Sequence, residues 1–276
     1  MCDFCVIHAV KERMLSRRDL FKGGAIAAAG AAAVATASVV APAPALADGH
    51  STVVDLSHTT SPEFPTYFGQ PGITIESAFN FADNGFNVFN ISHNEHLGTH
   101  IDAPLHFSAD GQAVDEIPVE NLVAPLVVVD VREAAAENPD YELTPDDLQA
   151  WIDANGDMPE RCCVAMLSGW GEKTETPEFR GADDAGVQHY PGVHIEATQM
   201  LLENTTAIGM ASDTLSLDTG KSATFETHYA WLPTNRWGIE NIANLDKVPA
   251  SGATLIVGAP KIKGGSGGPS RVMALV

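Results

Sequence analysis

Leu126-Val127-Val128-Val129-Asp130-Val131 is an apolar, mostly β-branched run broken by a single carboxylate. A strand with one wet face alternates apolar and polar residues. This one does not, so it reads as a strand buried on both faces, the habit of parallel sheets covered by helices. Val164-Ala165-Met166-Leu167, Ala207-Ile208-Gly209-Met210 and Thr254-Leu255-Ile256-Val257-Gly258 read the same way, and Val53-Val54-Asp55-Leu56 reads as a first strand. Helical stretches lie between them. Thr144-Pro145-Asp146-Asp147-Leu148-Gln149-Ala150-Trp151-Ile152 offers an N-cap threonine, proline at the first helical position and acids in the first turn. Residues 194–203 scan as a second helix. The alternation predicts an α/β fold, a single domain with a mixed β-sheet flanked by helices. Asn138-Pro139 and residues 264–269 read as loops.

Residues 48–276 are long enough for one full core without subdivision. Residues 1–47 read as a label. Ser16-Arg17-Arg18-Asp19-Leu20-Phe21-Lys22 sets an arginine pair before an uncharged Ala/Gly/Val run at 23–40, and Ala45-Leu46-Ala47 offers small residues to a signal peptidase. This is the pattern of a twin-arginine signal peptide cleaved after Ala47. It implies the twin-arginine export machinery as a partner, a periplasmic or extracellular destination, and folding before export, a route that suits a metal site loaded beforehand. The alternative is a retained anchor, for which the run is weakly hydrophobic and barely long enough.

The formal charge is −21, from 15 Lys+Arg against 36 Asp+Glu. Such a chain does not hold nucleic acid by counterion release and suits an anionic membrane poorly. The leader carries Lys11, Arg13, Arg17, Arg18 and Lys22 but only Asp3, Glu12 and Asp19, so the remainder is more acidic still. Cys2 and Cys5 precede the leader's apolar run. Cys162 and Cys163 are adjacent and read as small buried hydrophobes, with no disulfide framework.

Chemistry concentrates in His96-Leu97-Gly98-Thr99-His100-Ile101-Asp102-Ala103-Pro104-Leu105-His106. Three imidazoles and a carboxylate in eleven positions form a mixed N/O donor set of the kind that takes Zn, Mn, Fe or Co. Gly98 and Pro104 argue against a helix. On a strand end entering a loop, His100 and Asp102 point to one side, and Gly98 permits the turn that brings His96 alongside.

H-x-G-T-H-x-D-x-P-x-H is the signature of the cyclase family of metal-dependent hydrolases, which includes bacterial kynurenine formamidase and isatin hydrolase, and every fixed position is present. Weaker similarity extends over much of residues 53–276, through Asp55-Leu56-Ser57-His58, Ser168-Gly169-Trp170, Pro191-Gly192 and the stretch Gly209-Met210-Ala211-Ser212-Asp213-Thr214-Leu215-Ser216-Leu217-Asp218. The resemblance implies a swivelling β/β/α fold and a dimer or tetramer. It implies His96, His100 and Asp102 as ligands of a first ion, His228 and Glu240 joining Asp102 at a second, and His106 as the acid/base. With these ligands the expected ions are Zn2+ or Mn2+, one or two per subunit. The implied reaction is hydrolysis of a C–N amide bond, foremost in an aryl formamide such as N-formylkynurenine, with a cyclic amide such as isatin as the variant. A non-catalytic exported metal-binding protein is the alternative from another class; His106, a histidine beyond what the ligand set needs, argues for the enzyme.

Smaller expectations complete the reading. His58 and His93 are structural. His189 and His194 flank Pro191-Gly192, one of them a candidate for the pocket. Phe64, Tyr67, Phe68 and Trp170 are candidates for an aromatic slot. Lys261-Ile262-Lys263-Gly264-Gly265-Ser266-Gly267-Gly268-Pro269 lacks the order of a phosphate-binding loop; the resemblance makes it a pocket-side loop before the last strand.

Overall fold

A computed structural model describes residues 52–276; the leader, Cys2 and Cys5 lie outside the described residues. In chain order the strands and helices are β1 (Val53–Asp55), β2 (Ile73–Phe79), α1 (Phe81–Asn84), β3 (Val88–His93), β4 (His100–Asp102), β5 (Val123–Asp130), α2 (Arg132–Glu137), β6 (Glu142–Leu143), α3 (Pro145–Asn155), β7 (Cys163–Leu167), β8 (Gly192–Val193), α4 (Ile195–Asn204), β9 (Gly209–Ser212), α5 (Glu226–Trp231), β10 (Trp237–Glu240), β11 (Ala253–Gly258), β12 (Gly267–Pro269) and β13 (Arg271–Leu275).

Nine strands form one mixed sheet in the order β1-β13-β11-β5-β7-β9-β10-β4-β12. The middle, β5-β7-β9-β10, is parallel, and antiparallel pairs flank it on both sides. The strand that decided the fold class behaves as its composition demands. Leu126 and Val128 enter one apolar cluster, while Val127 and Val129 enter the other on the opposite face. Cys163 and Cys162 divide the same way, both buried and unbridged. The helices α3 and α4 cover the second face through Leu148, Trp151, Ala197 and Leu201. The first face closes on itself: Val272 and Ala274 of β13 share a cluster with Ile101 of β4 and Ile239 of β10, strands far apart in the order. The sheet is therefore curled, and β4 is held between β10 and β12.

Local chemistry sets the element ends. Thr144 accepts from the Asp147 N–H while the Asp147 carboxylate accepts from the Thr144 N–H, a reciprocal cap on α3. The helix expected at 194–203 starts one residue later, because the His194 ring nitrogen accepts the Glu196 N–H and so caps α4. The strand expected at 207–210 lies two residues further on. Ile208 still donates back to the Cys162 carbonyl, and Gly209 begins the ladder where the Trp237 ring leaves no room: a Cβ there would sit 2.1 Å from that ring. Within 264–269, read as loop, the last three residues form the edge strand β12, a position that tolerates Pro269.

The stretch Thr74–Ser92 belongs to a separate compact unit. It is the hairpin β2–β3, turned by α1, with Asn80 capping that helix and Gly85 closing it at φ 80°. No helix among the described residues is long and apolar enough to cross a membrane.

Candidate metal centre

Register places the polar residues. On β4, His100 and Asp102 point to one face and Ile101 to the apolar cluster behind. Glu240 of β10 stands directly opposite His100, so two donors meet as a cross-strand pair. Opposite Asp102 on the same strand is Gly238, whose Cβ would lie 3.3 Å from Asp102 Oδ2 and 2.9 Å from Leu217. Glycine leaves the carboxylate its space. Gly98, at φ 61°, folds the preceding segment back, and a side chain there would strike Thr60.

The cluster is dense and buried. His96 Nδ1 is 2.7 Å from Asp102 Oδ1. His100 Nε2 is 3.4 Å from Asp102 Oδ1 and 3.3 Å from Glu240 Oε2. From α5, His228 Nε2 is 3.1 Å from Glu240 Oε1 and 3.7 Å from Asp102 Oδ2. The expected His96, His100, Asp102, His228 and Glu240 are thus brought together, with Asp102 at the centre. His106, on the turn Pro104–His106 after β4, stacks its ring on His96 at 3.8 Å between centroids. Its ring also offers an atom within 4.8 Å of atoms of His96 and Asp102; His100, Asp102 and Glu240 make a second such group.

These residues fit a divalent cation. His100 Nδ1–H donates to the Gly98 carbonyl at 2.8 Å, which turns Nε2 inward; Nε2 and Asp102 Oδ2 are buried there without a hydrogen bond. Ligand atoms around a tetrahedral ion with bonds of about 2.0–2.1 Å stand about 3.3–3.4 Å apart, the spacing of His100 from both carboxylates. Two buried carboxylates also require positive charge. Without an ion the imidazoles supply it. Burial alone would lower the His100 pKa, but Asp102 and Glu240 outweigh it and raise it to about 10. Burial opposes a charged His228 as well, and the neighbouring carboxylates of Asp102, Asp218 and Glu240 outweigh it and hold its pKa well above the ordinary value. Burial would raise the Asp102 pKa, yet His100 and its neighbours drive it well below the usual carboxylate range. His106 differs: burial dominates and lowers its pKa to about 4.

The cluster forms one end of a cavity of about 240 Å³. Its apolar wall is Tyr67, Phe68, Phe107, Leu215 and Phe225, with Gln70, Asn94 and Ser216 as polar points. Of the aromatic residues expected there, Tyr67 and Phe68 line the cavity. Phe64 and Trp170 instead pack with Leu97, Phe179 and Tyr190 in a buried cluster, because the Trp170 indole N–H donates to the Phe179 carbonyl and fixes the ring inward. Phe107 and Phe225 complete the wall without being among the expected residues. Phe107 directly follows the motif and was the available signal; Phe225 is placed by a left-handed backbone at φ 51°, which no pattern announces. His58 lies outside the cavity lining, its backbone N–H bound to Thr99 Oγ1. His93 is exposed on β3, and His189 pairs with Asp140 outside the cavity lining.

The model of the putative cyclase family matches residues 54–219. The chain belongs to this family. Among relatives of this cyclase-family chain, the isatin hydrolase of Roseibium aggregatum is 32% identical over 250 residues, 84% of this chain and 94% of that protein. The kynurenine formamidase of Salinibacter ruber is 28% identical over 223 residues, covering 80% and 96%. Among solved structures, isatin hydrolase A from Labrenzia aggregata bound to benzyl benzoate superposes with a TM-score of 0.77 at 37% identity, over 82% of this chain and 93% of that one. An isatin hydrolase bound to the product analogue thioisatinate gives a TM-score of 0.75 at 32% identity, over 81% and 92%.

Proposed function

We propose that this chain is a metal-dependent hydrolase that opens a C–N amide bond in a substrate carrying an aromatic ring. The observation that carries the reading is the buried N/O cluster, with His100 Nε2 and Asp102 Oδ2 lacking a hydrogen bond, at the end of an aromatic-walled cavity. His96, His100 and Asp102 would hold one cation, and His228 and Glu240 with Asp102 would hold a second; the mixed donors suit Zn2+ or Mn2+. A cation held there supplies Lewis acidity, bringing the ionisation of water near neutrality and polarising a carbonyl oxygen.

The chain's own residues do the rest. His106 is neutral at pH 7, since burial holds its pKa at about 4, so one ring nitrogen is free to take a proton from water. It returns that proton to the leaving nitrogen. The net change adds OH to the carbonyl carbon and H to the nitrogen as the C–N bond breaks. Tyr67, Phe68, Phe107 and Phe225 orient the ring and exclude water.

An aryl formamide such as N-formylkynurenine is the first substrate to test. A cyclic aryl amide such as isatin is the second, favoured by two observations. The isatin hydrolase is the more similar of the two named relatives, and the described cavity lining carries no Lys or Arg for an amino-acid carboxylate. The test is metal analysis of the purified chain combined with hydrolysis of N-formylkynurenine, isatin and simple cyclic imides side by side. Metal-dependent turnover of any of them supports the reading. Bound metal with no turnover of an amide would leave the non-catalytic metal-binding protein. We further propose export by the twin-arginine route, from the arginine pair and apolar run of residues 16–40, and self-association as a dimer or tetramer, from the family resemblance.

A further inference from the structure

We propose that Asp218 is a positioning residue that holds His228 in the one orientation that lets it grip a cation. The inference rests on the reading of His228 and Glu240 as cation holders. Asp218 is buried, in the segment that follows β9. It lies behind the His228 ring, on the side away from Glu240. Its Oδ2 accepts the ring Nδ1–H at 2.5 Å and the backbone N–H of His228 at 3.2 Å, and its Oδ1 accepts the Thr227 N–H at 2.9 Å. One carboxylate therefore grasps both the backbone and the far ring nitrogen of the same residue. With Nδ1 committed, Nε2 faces Glu240 Oε1 and Asp102 Oδ2. The Phe107 ring, 4.6 Å away between centroids, limits rotation.

The other two imidazoles are anchored differently. His100 is fixed by the Gly98 carbonyl, and His96 meets the Ser266 hydroxyl, which Glu95 holds in turn. His228 is the one of the three whose far nitrogen meets a carboxylate directly. A carboxylate behind a histidine fixes the tautomer and makes the opposite nitrogen a better donor, and its loss costs about 10–100-fold in metal affinity.

The experiment titrates Zn2+ into the chelator-stripped full chain by calorimetry, with elemental analysis, for the wild type, Asp218→Ala, Asp218→Asn and His228→Ala. His228→Ala identifies the ion that His228 holds. Asp218→Ala is expected to weaken that same ion by about 100-fold, leaving any ion that His228→Ala retains unchanged. Asp218→Asn keeps an oxygen for the ring N–H but loses the charge, so about 10-fold is expected, at the low end of the same range. Hydrolysis by both Asp218 variants should recover at saturating Zn2+. An unchanged affinity in a folded Asp218 variant, with only a lower melting temperature of the metal-free protein, overturns the inference by making Asp218 purely structural. Should Asp218→Ala not fold, the Asn variant decides by the same criterion. A His228→Ala variant with wild-type metal content overturns the cation reading of His228 itself, and the two failures are distinguishable.

Discussion

Asp102 carries more of the site than any other side chain, since His96, His100 and His228 all face its two oxygens. Asp102→Ala is expected to abolish metal binding, measured by elemental analysis; full occupancy in that variant would contradict its place at the centre. His106 has the opposite signature. Its pKa is held down by burial, which outweighs the upward pull of Asp102 and Glu240. His106→Ala should retain metal while kcat falls by about 100-fold or more. Equal loss of metal and activity would instead make His106 a ligand, which its proximity to His96 and Asp102 also permits. At this scale the motif was legible, because eleven consecutive residues carry most of the donors. His228 and Glu240 were reachable only through resemblance: nothing within a helix turn and a strand says that the two face each other.

Among the elements, β4 is three residues long, and its neighbours decide what it can present. Gly238 on β10 and Gly267 on β12 both oppose Asp102. Adding a methyl group at 238 presses on Asp102 Oδ2 and Leu217, so Gly238→Ala should cost about 1–3 kcal/mol by overpacking and weaken metal binding as well. Denaturant unfolding and Zn2+ titration of the one variant report the two effects. α3 is a simpler case. Removing its capping hydroxyl with Thr144→Ala should cost about 1 kcal/mol of stability with metal affinity unchanged. The two contrast in legibility. Thr144-Pro145 announced its helix by local chemistry, whereas the glycines' role depends on a strand pairing that joins residues more than a hundred positions apart.

Over the whole molecule, charge links the site to stability. In the metal-free protein His100 is raised to about 10, and its unfolded reference lies near 6.5. The stabilisation from its protonation is complete below about 6.5 and is lost as pH rises towards 10. Asp102 and Glu240 act in the other direction, their lowered pKa values giving stability that is lost as pH falls through them. The melting temperature of the metal-free chain should therefore fall between pH 7 and 10, while Zn2+ affinity rises over the same range as bound protons leave. A metal-free melting temperature that climbed with pH would contradict the charged imidazoles. The sequence by itself determined the α/β class, the doubly buried central strand and the donor-rich motif, because side-chain period, helix caps and short-range clustering are local properties of a chain. Tertiary structure alone decided that the sheet curls, that Phe107 and Phe225 wall the cavity while Trp170 turns inward, and that Asp218 reaches the back of His228. Those outcomes depend on which distant segments share a register and a cluster, and burial is settled by the whole fold.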